Sequence, residues 1–248
     1  MSLRASVEFC KIGTDIQDRF ARHPVINCQQ VNEFDKRLLK WHKDLPTVMK
    51  RSRACPPGLL AARGLMNARY QNLRLVIHRP RLLITTLRRI SPDELLSDEK
   101  DIVEKCRVIA SEIIIDVQKD WFPIQQIVRN SVWFLFQGCL VPLLSLFSEP
   151  YHKDAKKWKK DVESSLDLLN EMSGWSLVVK RSWEVVFTIY EATKQTTPPQ
   201  SVMPMDLGRD FSWESWNMDP LWDDTEWASI PGFNSFNFDG TEFSASDL

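Results

Sequence analysis

Val132 to Phe147 reads VWFLFQGCLVPLLSLF, and its reading decides the fold. The run falls short of the roughly 20 residues that a bilayer core requires, and Gln137 and Pro142 interrupt it. It is therefore expected to be the core of a buried helix spanning about Val128 to Phe147, with no membrane as a partner. Gly138 and Pro142 are expected to bend that helix. An apolar helix of this kind belongs at the centre of a helical protein.

The flanking segments supply the surround. Before the run, a helix from about Asp98 to Lys119 puts Ile102, Cys106, Ile109, Ile113 and Val117 on one side. Ser91-Pro92-Asp93-Glu94 has the form of a capping box with Pro at the first helical position. Earlier still, Leu65, Met66, Tyr70, Leu73, Val76 and Ile77 mark a long periodic segment. Pro80 is expected to kink or break it. Cys55-Pro56-Pro57-Gly58 reads as a loop and Pro46 as a helix end. Val31, Phe34, Leu38 and Trp41 share a face capped by Asn27, with Asp35, Lys36 and Lys40 placed off that face. Val7, Ile12, Ile16 and Phe20 form a first helix, followed by Pro24. Beyond the run, Lys153 to Leu169 is amphipathic and Gly174 is a stop or restart. Trp175, Val178, Val179, Trp183, Val186 and Tyr190 mark the last helix. Nothing reads as a strand, and Gly is scarce at 8 of 248 residues, which disfavours a turn-rich β protein. The expected class is all-α: an irregular bundle of about seven helices over residues 1–194.

After Lys194 the character changes. Thr196-Thr197-Pro198-Pro199 breaks the pattern, and residues 195–248 keep no sustained period. From Gln195 onward ten acids face one base, Arg209. The tail thus carries −9 against −1 for the whole chain, leaving +8 on the first 194 residues. Four Trp and five Phe lie among these acids. Self-repelling charge without pattern predicts a largely disordered acidic-aromatic tail. Such a division of charge marks interaction segments.

No catalytic motif stands out. The sequence holds no GxSxG, HExxH, P-loop or glycine-rich dinucleotide turn. Asp223, Asp224 and Glu226 sit in the tail, away from any cavity wall. His23, His42, His78 and His152 have no partner at metal-ligand spacing and read as surface or half-buried residues. The five cysteines are widely spaced and odd in number, which predicts reduced thiols. The run HKDAKKWKKD, His152 to Asp161, reads as a solvated helix face with Trp158 leaning inward; a nuclear-import or nucleic-acid patch is the alternative.

Two short motifs then carry a resemblance. Phe34 to Pro46, FDKRLLKWHKDLP, resembles an F…L..W…LP pattern, and Tyr70 to Pro80, YQNLRLVIHRP, resembles a Y..L….HRP pattern. In this order they resemble the fungal-specific transcription factor domain, the middle homology region of zinc-binuclear-cluster regulators. Cys106-Arg107-Val108-Ile109-Ala110 and Trp133 to Leu146 resemble its later helices. The likeness spans roughly Val7 to Tyr190 and only the C-terminal half of that domain. It implies an all-α fold, a nuclear location and an activation segment near the C-terminus. It also implies that Trp41, Pro46, Tyr70, His78, Arg79 and Pro80 specify the fold, with His78 and Arg79 satisfying carbonyls freed at Pro80. The family's six-cysteine zinc cluster, basic linker and coiled coil have no counterpart here. No cofactor is therefore expected in this chain, zinc belonging only to that absent cluster, and the chain as it stands is not expected to bind DNA by itself.

Aromatics spaced through acids suit an activation segment: the acids keep the rings solvated and available for a groove on a coactivator. Trp213, Trp216, Leu221, Trp222 and Trp227 form one anchor cluster and Phe233, Phe236 and Phe238 another. The expected function is the regulatory and transactivation part of such a factor, with coactivator or transcription machinery as partner. A repressor protein or a small-molecule effector is a further partner class. The alternatives are a helical interaction protein that restrains another regulator, and an all-α enzyme without recognisable motif.

Overall fold

The computed structural model describes residues 2–23, 26–50, 57–91, 93–121 and 125–195. Among these, seven α-helices and no strands are found. They are α1 (Ser2–Arg22), α2 (Cys28–Lys43), α3 (Pro57–Leu87), α4 (Ser97–Asp120), α5 (Gln125–Ser148), α6 (Ala155–Met172) and α7 (Leu177–Gln195). The chain divides after Thr197 into two units, and the described residues belong to the first. The eight tail anchors named above, Trp213 to Phe238, lie outside the described residues, as do Pro24, Cys55, Pro56 and Pro92.

The apolar run behaves as a core helix. α5 packs against α3, α4, α6 and α7. Asn130–Ser148 is long and apolar enough to cross a membrane by length and composition, yet 56% of it is buried inside the protein. Leu135, Cys139 and Val141 are fully buried. Two residues within the run, Gln137 and Gly138, are contacts between helices. Gln137 accepts a hydrogen bond from Arg79 of α3. Gly138 lets α4 approach: a Cβ there would lie 3.1 Å from Ile113 Cγ2 and 3.4 Å from the Ala110 carbonyl oxygen.

Local signals set several boundaries. The Asn27 side chain accepts from the Gln30 N–H at 2.9 Å, and the Gln30 side chain accepts from the Asn27 N–H at 3.2 Å, a complete capping box for α2. Four sequence expectations are corrected. Pro57 and Gly58 are the first residues of α3 rather than loop, because Pro is compatible with the first helical position, where its missing N–H would have had no partner. Asp93 and Glu94 form a turn, not the start of a helix. The Glu94 carboxylate accepts from Ser91 N–H at 3.2 Å. The helix waits for Ser97, where Glu99 repeats the same reach to Leu96 N–H. α3 ends instead at a left-handed Arg89, φ 50°, with Ile90 N–H donating to Thr85 O and Arg89 N–H to Thr86 O. Third, Pro80 does not break α3, which continues to Leu87. Ile77 and Leu82 on either side are buried, so tertiary packing holds the helix across the lost bond. Fourth, Val7 is 45% exposed, and Phe9 packs inward instead, 4.8 Å from the Trp41 ring.

Two apolar cores result. One surrounds α5, drawing on α3, α4, α6 and α7. The other joins α1 and α2 to α3 and the start of α4, with Ile16, Leu38, Ile77 and Ile102 at its centre.

Candidate functional site

Five of the six motif residues gather along α2 and α3, and Pro46 follows directly after α2. Trp41, on the last turn of α2, donates its indole N–H to the Ala5 carbonyl at 2.9 Å, so it ties α1 to α2. Its ring lies 5.9 Å from Tyr70 of α3. His42 stacks on the same Tyr70 at 4.3 Å and 8°. Pro46 begins the short 3-10 turn Thr47–Met49, whose Met49 plugs the same core.

The centre of the cluster is an ion pair that the sequence reading did not assign. Asp35 is buried, not off the apolar face, because it sits four residues after Val31 and three before Leu38. Its carboxylate takes two hydrogen bonds from Arg74, Nε to Oδ1 at 2.6 Å and Nη2 to Oδ2 at 3.3 Å. A buried carboxylate is tolerable only when paired in this way. Arg74 also lies over the Tyr70 ring at 5.5 Å. Periodicity was the signal that could have revealed Asp35: an acid at that position turns toward the core.

His78 stands beside the pair. It is fully buried, which corrects the expectation of a surface or half-buried histidine. Nδ1 lies 2.7 Å from the Arg74 carbonyl, so it donates there. Nε2 has no hydrogen-bond partner and lies 4.0 Å from Asp35 Oδ2. Burial is the largest influence on the ring and holds its pKa below the usual histidine value, against the pull of Asp35. Burial likewise lowers His42, aided by the Arg74 and Lys50 charges. The carbonyls freed at Pro80 are not what His78 and Arg79 bond. His78 uses the Arg74 carbonyl, and Arg79 crosses to Gln137 of α5. Burial pulls the Arg79 guanidinium below its ordinary value, with no carboxylate to offset it.

Two further polar seams bind the helices. Asp116 of α4 accepts from Gln71 at 2.7 Å and from Asn67 at 3.2 Å, both on α3. Arg107 of α4 pairs with Glu149, donates to Ser145 at 3.2 Å and lies 4.5 Å over the Trp158 ring. Cys106 and Cys139 are free thiols that burial pushes up to about 12, while Cys10 and Cys28 are free and at least partly accessible.

These groups hold helices together. Among the described residues no group of three or more His, Cys, Asp or Glu could hold a metal. An open groove of about 410 Å³ runs beside Arg74, Lys105, Val108 and Glu112, with charges of both signs. Its Arg74 wall is already committed to Asp35. Comparison of the chain with protein-family models, curated proteins and solved structures finds no match in any of the three.

Proposed function

We propose that the chain is the regulatory and transactivation part of a zinc-cluster-type transcription factor of the fungal kind, acting in the nucleus. The observation that carries this reading is the tail: ten acids and nine Trp and Phe after Gln195, with one base. The ordered pair of motifs, Phe34 to Pro46 and Tyr70 to Pro80, supports it from the folded part. Trp41, Tyr70 and His78 are interior residues joining α1, α2 and α3, which suits a scaffold rather than a reaction centre. Coactivator or transcription machinery is the partner, with the rings as anchors and the acids as steering charge. The helical body is then the regulated element, open to a repressor protein or a small-molecule effector.

The test is a reporter. Asp206 to Leu248 fused to an unrelated DNA-binding domain drives transcription. Replacing Trp222 and Trp227 with Ala lowers output more than replacing Asp223 and Asp224 with Asn, since truncating an aromatic anchor costs on the order of 2 kcal/mol and a rim charge less. A silent fusion, or a larger loss from the acid pair, defeats the reading. The second reading, a helical protein that restrains another regulator, draws on α7, where Leu177, Val185, Phe187 and Ile189 are each more than a third exposed.

A further inference from the structure

The first half of α6 presents a lysine face. Lys156, Lys157, Lys159 and Lys160 are exposed, and Lys153 is exposed just before the helix. The inward side is fixed. Trp158 and Val162 are buried, with the His152 ring stacked on Trp158 at 4.7 Å and the Arg107 guanidinium 4.5 Å from it. The expected solvated face with Trp158 turned inward is what the structure shows.

Helix stability does not account for this array. α6 has no acid in its first turn and no base in its last, and Asp167 and Glu171 lie toward its far end. The first and last turns therefore oppose the helix dipole, which favours acids first and bases last, and Asp154 just before the helix is the acid placed in the favourable sense. Lys156 and Lys160 are like charges four residues apart, a further opposition. Asp154, at the capping position, makes no cap; its carboxylate lies 3.7 Å from His152 Nδ1. Neighbouring acids neutralise little of the charge. Lys159 reaches Glu163 at 3.9 Å, with both side chains about half exposed. Lys157 acts on Glu112 only through space. Asp161 accepts from Ser111 and Glu163 from Tyr190. Lys153, Lys156 and Lys160 make no ion pair among the described residues.

The chemistry of the face selects its partner. A protein interface draws its energy from aromatic and apolar anchors, and the one aromatic within this half of α6 is turned inward. Single-stranded nucleic acid needs several aromatic platforms for successive bases, whereas next to these lysines Tyr151 offers a single exposed ring and Trp158 is buried. A duplex phosphate backbone needs only clustered cations, because its binding is driven by counterion release. Lysine without arginine supplies point charges rather than the planar fork that reads guanine. Tyr151, 87% exposed just before Lys153, adds a hydroxyl of the kind that bonds phosphate oxygens. We propose that Lys153, Lys156, Lys157 and Lys160 form a contact surface for the phosphate backbone of duplex DNA, without reading bases. This departs from the expectation that the chain does not bind DNA by itself, and it stands independently of the activation reading, which the reporter tests separately.

The experiment is an anisotropy titration of the full chain against a labelled duplex of about 20 base pairs, over about 50 to 200 mM salt. Binding is expected to weaken steeply with salt and to be equal for unrelated sequences. Replacing Lys156, Lys157 and Lys160 together with Gln lowers affinity on the order of 10-fold at low salt and flattens the log–log salt slope by about 0.9 per lysine. Replacing Lys36, Lys40 and Lys43 of α2 in the same way leaves the slope near its original value. The α6 variant melts at the same temperature or higher, because it removes charges that oppose the dipole. Absence of salt-dependent binding overturns the proposal, as does an equal loss in the two triple variants. Binding of polyglutamate in place of duplex overturns it in favour of an acidic protein partner.

Discussion

The core around α5 and the core between α1, α2 and α3 meet along α3 but differ in chemistry. Around α5 the buried positions include Leu135, Cys139, Val141, Ile113 and Leu169, and buried polar contacts such as Arg79 to Gln137 and Arg107 to Ser145 join the helices beside them. Between α1, α2 and α3, the aromatic packing of Trp41, Tyr70 and Phe9 surrounds a charged centre, Asp35, Arg74 and His78. The first core gains from apolar area removed from water and is tolerant of anything that conserves volume. The second depends on a paired charge, which is costly to break and adds little if replaced whole. Apolar packing fills space; the ion pair fixes which turn of α2 faces which turn of α3.

The largest effect expected from breaking this contrast is at Asp35. Asp35→Ala leaves the Arg74 guanidinium, only 13% exposed, without its carboxylate, and should cost about 3–5 kcal/mol in a denaturant titration. The double change Asp35→Leu with Arg74→Met removes both charges together and should recover most of that loss. If the double variant is as unstable as the single one, the pair is a net source of stability and the contrast with the apolar core fails.

Leu135→Ala addresses the other core. The side chain is fully buried in the core around α5, so truncation should cost about 2–5 kcal/mol through lost transfer energy and the cavity left behind. Leu135→Met, close in volume, should cost less than about 1.5 kcal/mol. The two values measured side by side establish whether volume alone governs this region.

The smallest effect is one of pH and belongs only to the charged core. The folded pKa of His78 lies below its ordinary value of 6.5. As pH falls through 6.5 the unfolded chain therefore binds a proton that the folded chain refuses, and stability declines until the folded pKa is passed. Asp35, Arg74 and Lys105 are the charges that act on the ring; Asp35 opposes the shift and the two bases reinforce it. The wild-type protein should lose at most about 1.4 kcal/mol per pH unit from this ring below 6.5. His42 contributes with the same sign, so the informative quantity is the difference from His78→Gln, whose stability should fall less steeply over that window. Identical pH profiles would mean that His78 is not held neutral.

The helices were legible in the sequence because periodicity is a local property. Ile102, Cys106, Ile109, Ile113 and Val117 are buried as their spacing requires, and Asn27 caps α2 as its side chain allows. The central place of α5 followed from an apolar run too rich in large side chains to face water on most sides. Prolines were read less well. Pro57 starts a helix and Pro80 sits inside one, because the cost of a missing N–H depends on position and on the packing on either side. Of the charged centre only the inward turn of Asp35 is legible, and its partner is not. Asp35 was assigned to the outside on residue type, though its spacing from Val31 and Leu38 turned it inward, and spacing alone does not name the cation that makes burial tolerable.

What the sequence determined by itself, then, is the all-α class, the helices and most of their inward faces, together with the charge division between the first 194 residues and the rest. Those properties depend on residues a few positions apart or on composition alone. Only the tertiary structure decided the partners: Asp35 with Arg74, Arg79 with Gln137, Arg107 with Glu149 and Trp158, with Lys156 and Lys160 of α6 in no ion pair among the described residues. The first three contacts join residues that are 39, 58 and 42 positions apart. They exist because helices crossing in space bring distant side chains within hydrogen-bond reach, and a buried charge is tolerated only where that crossing delivers its counterpart.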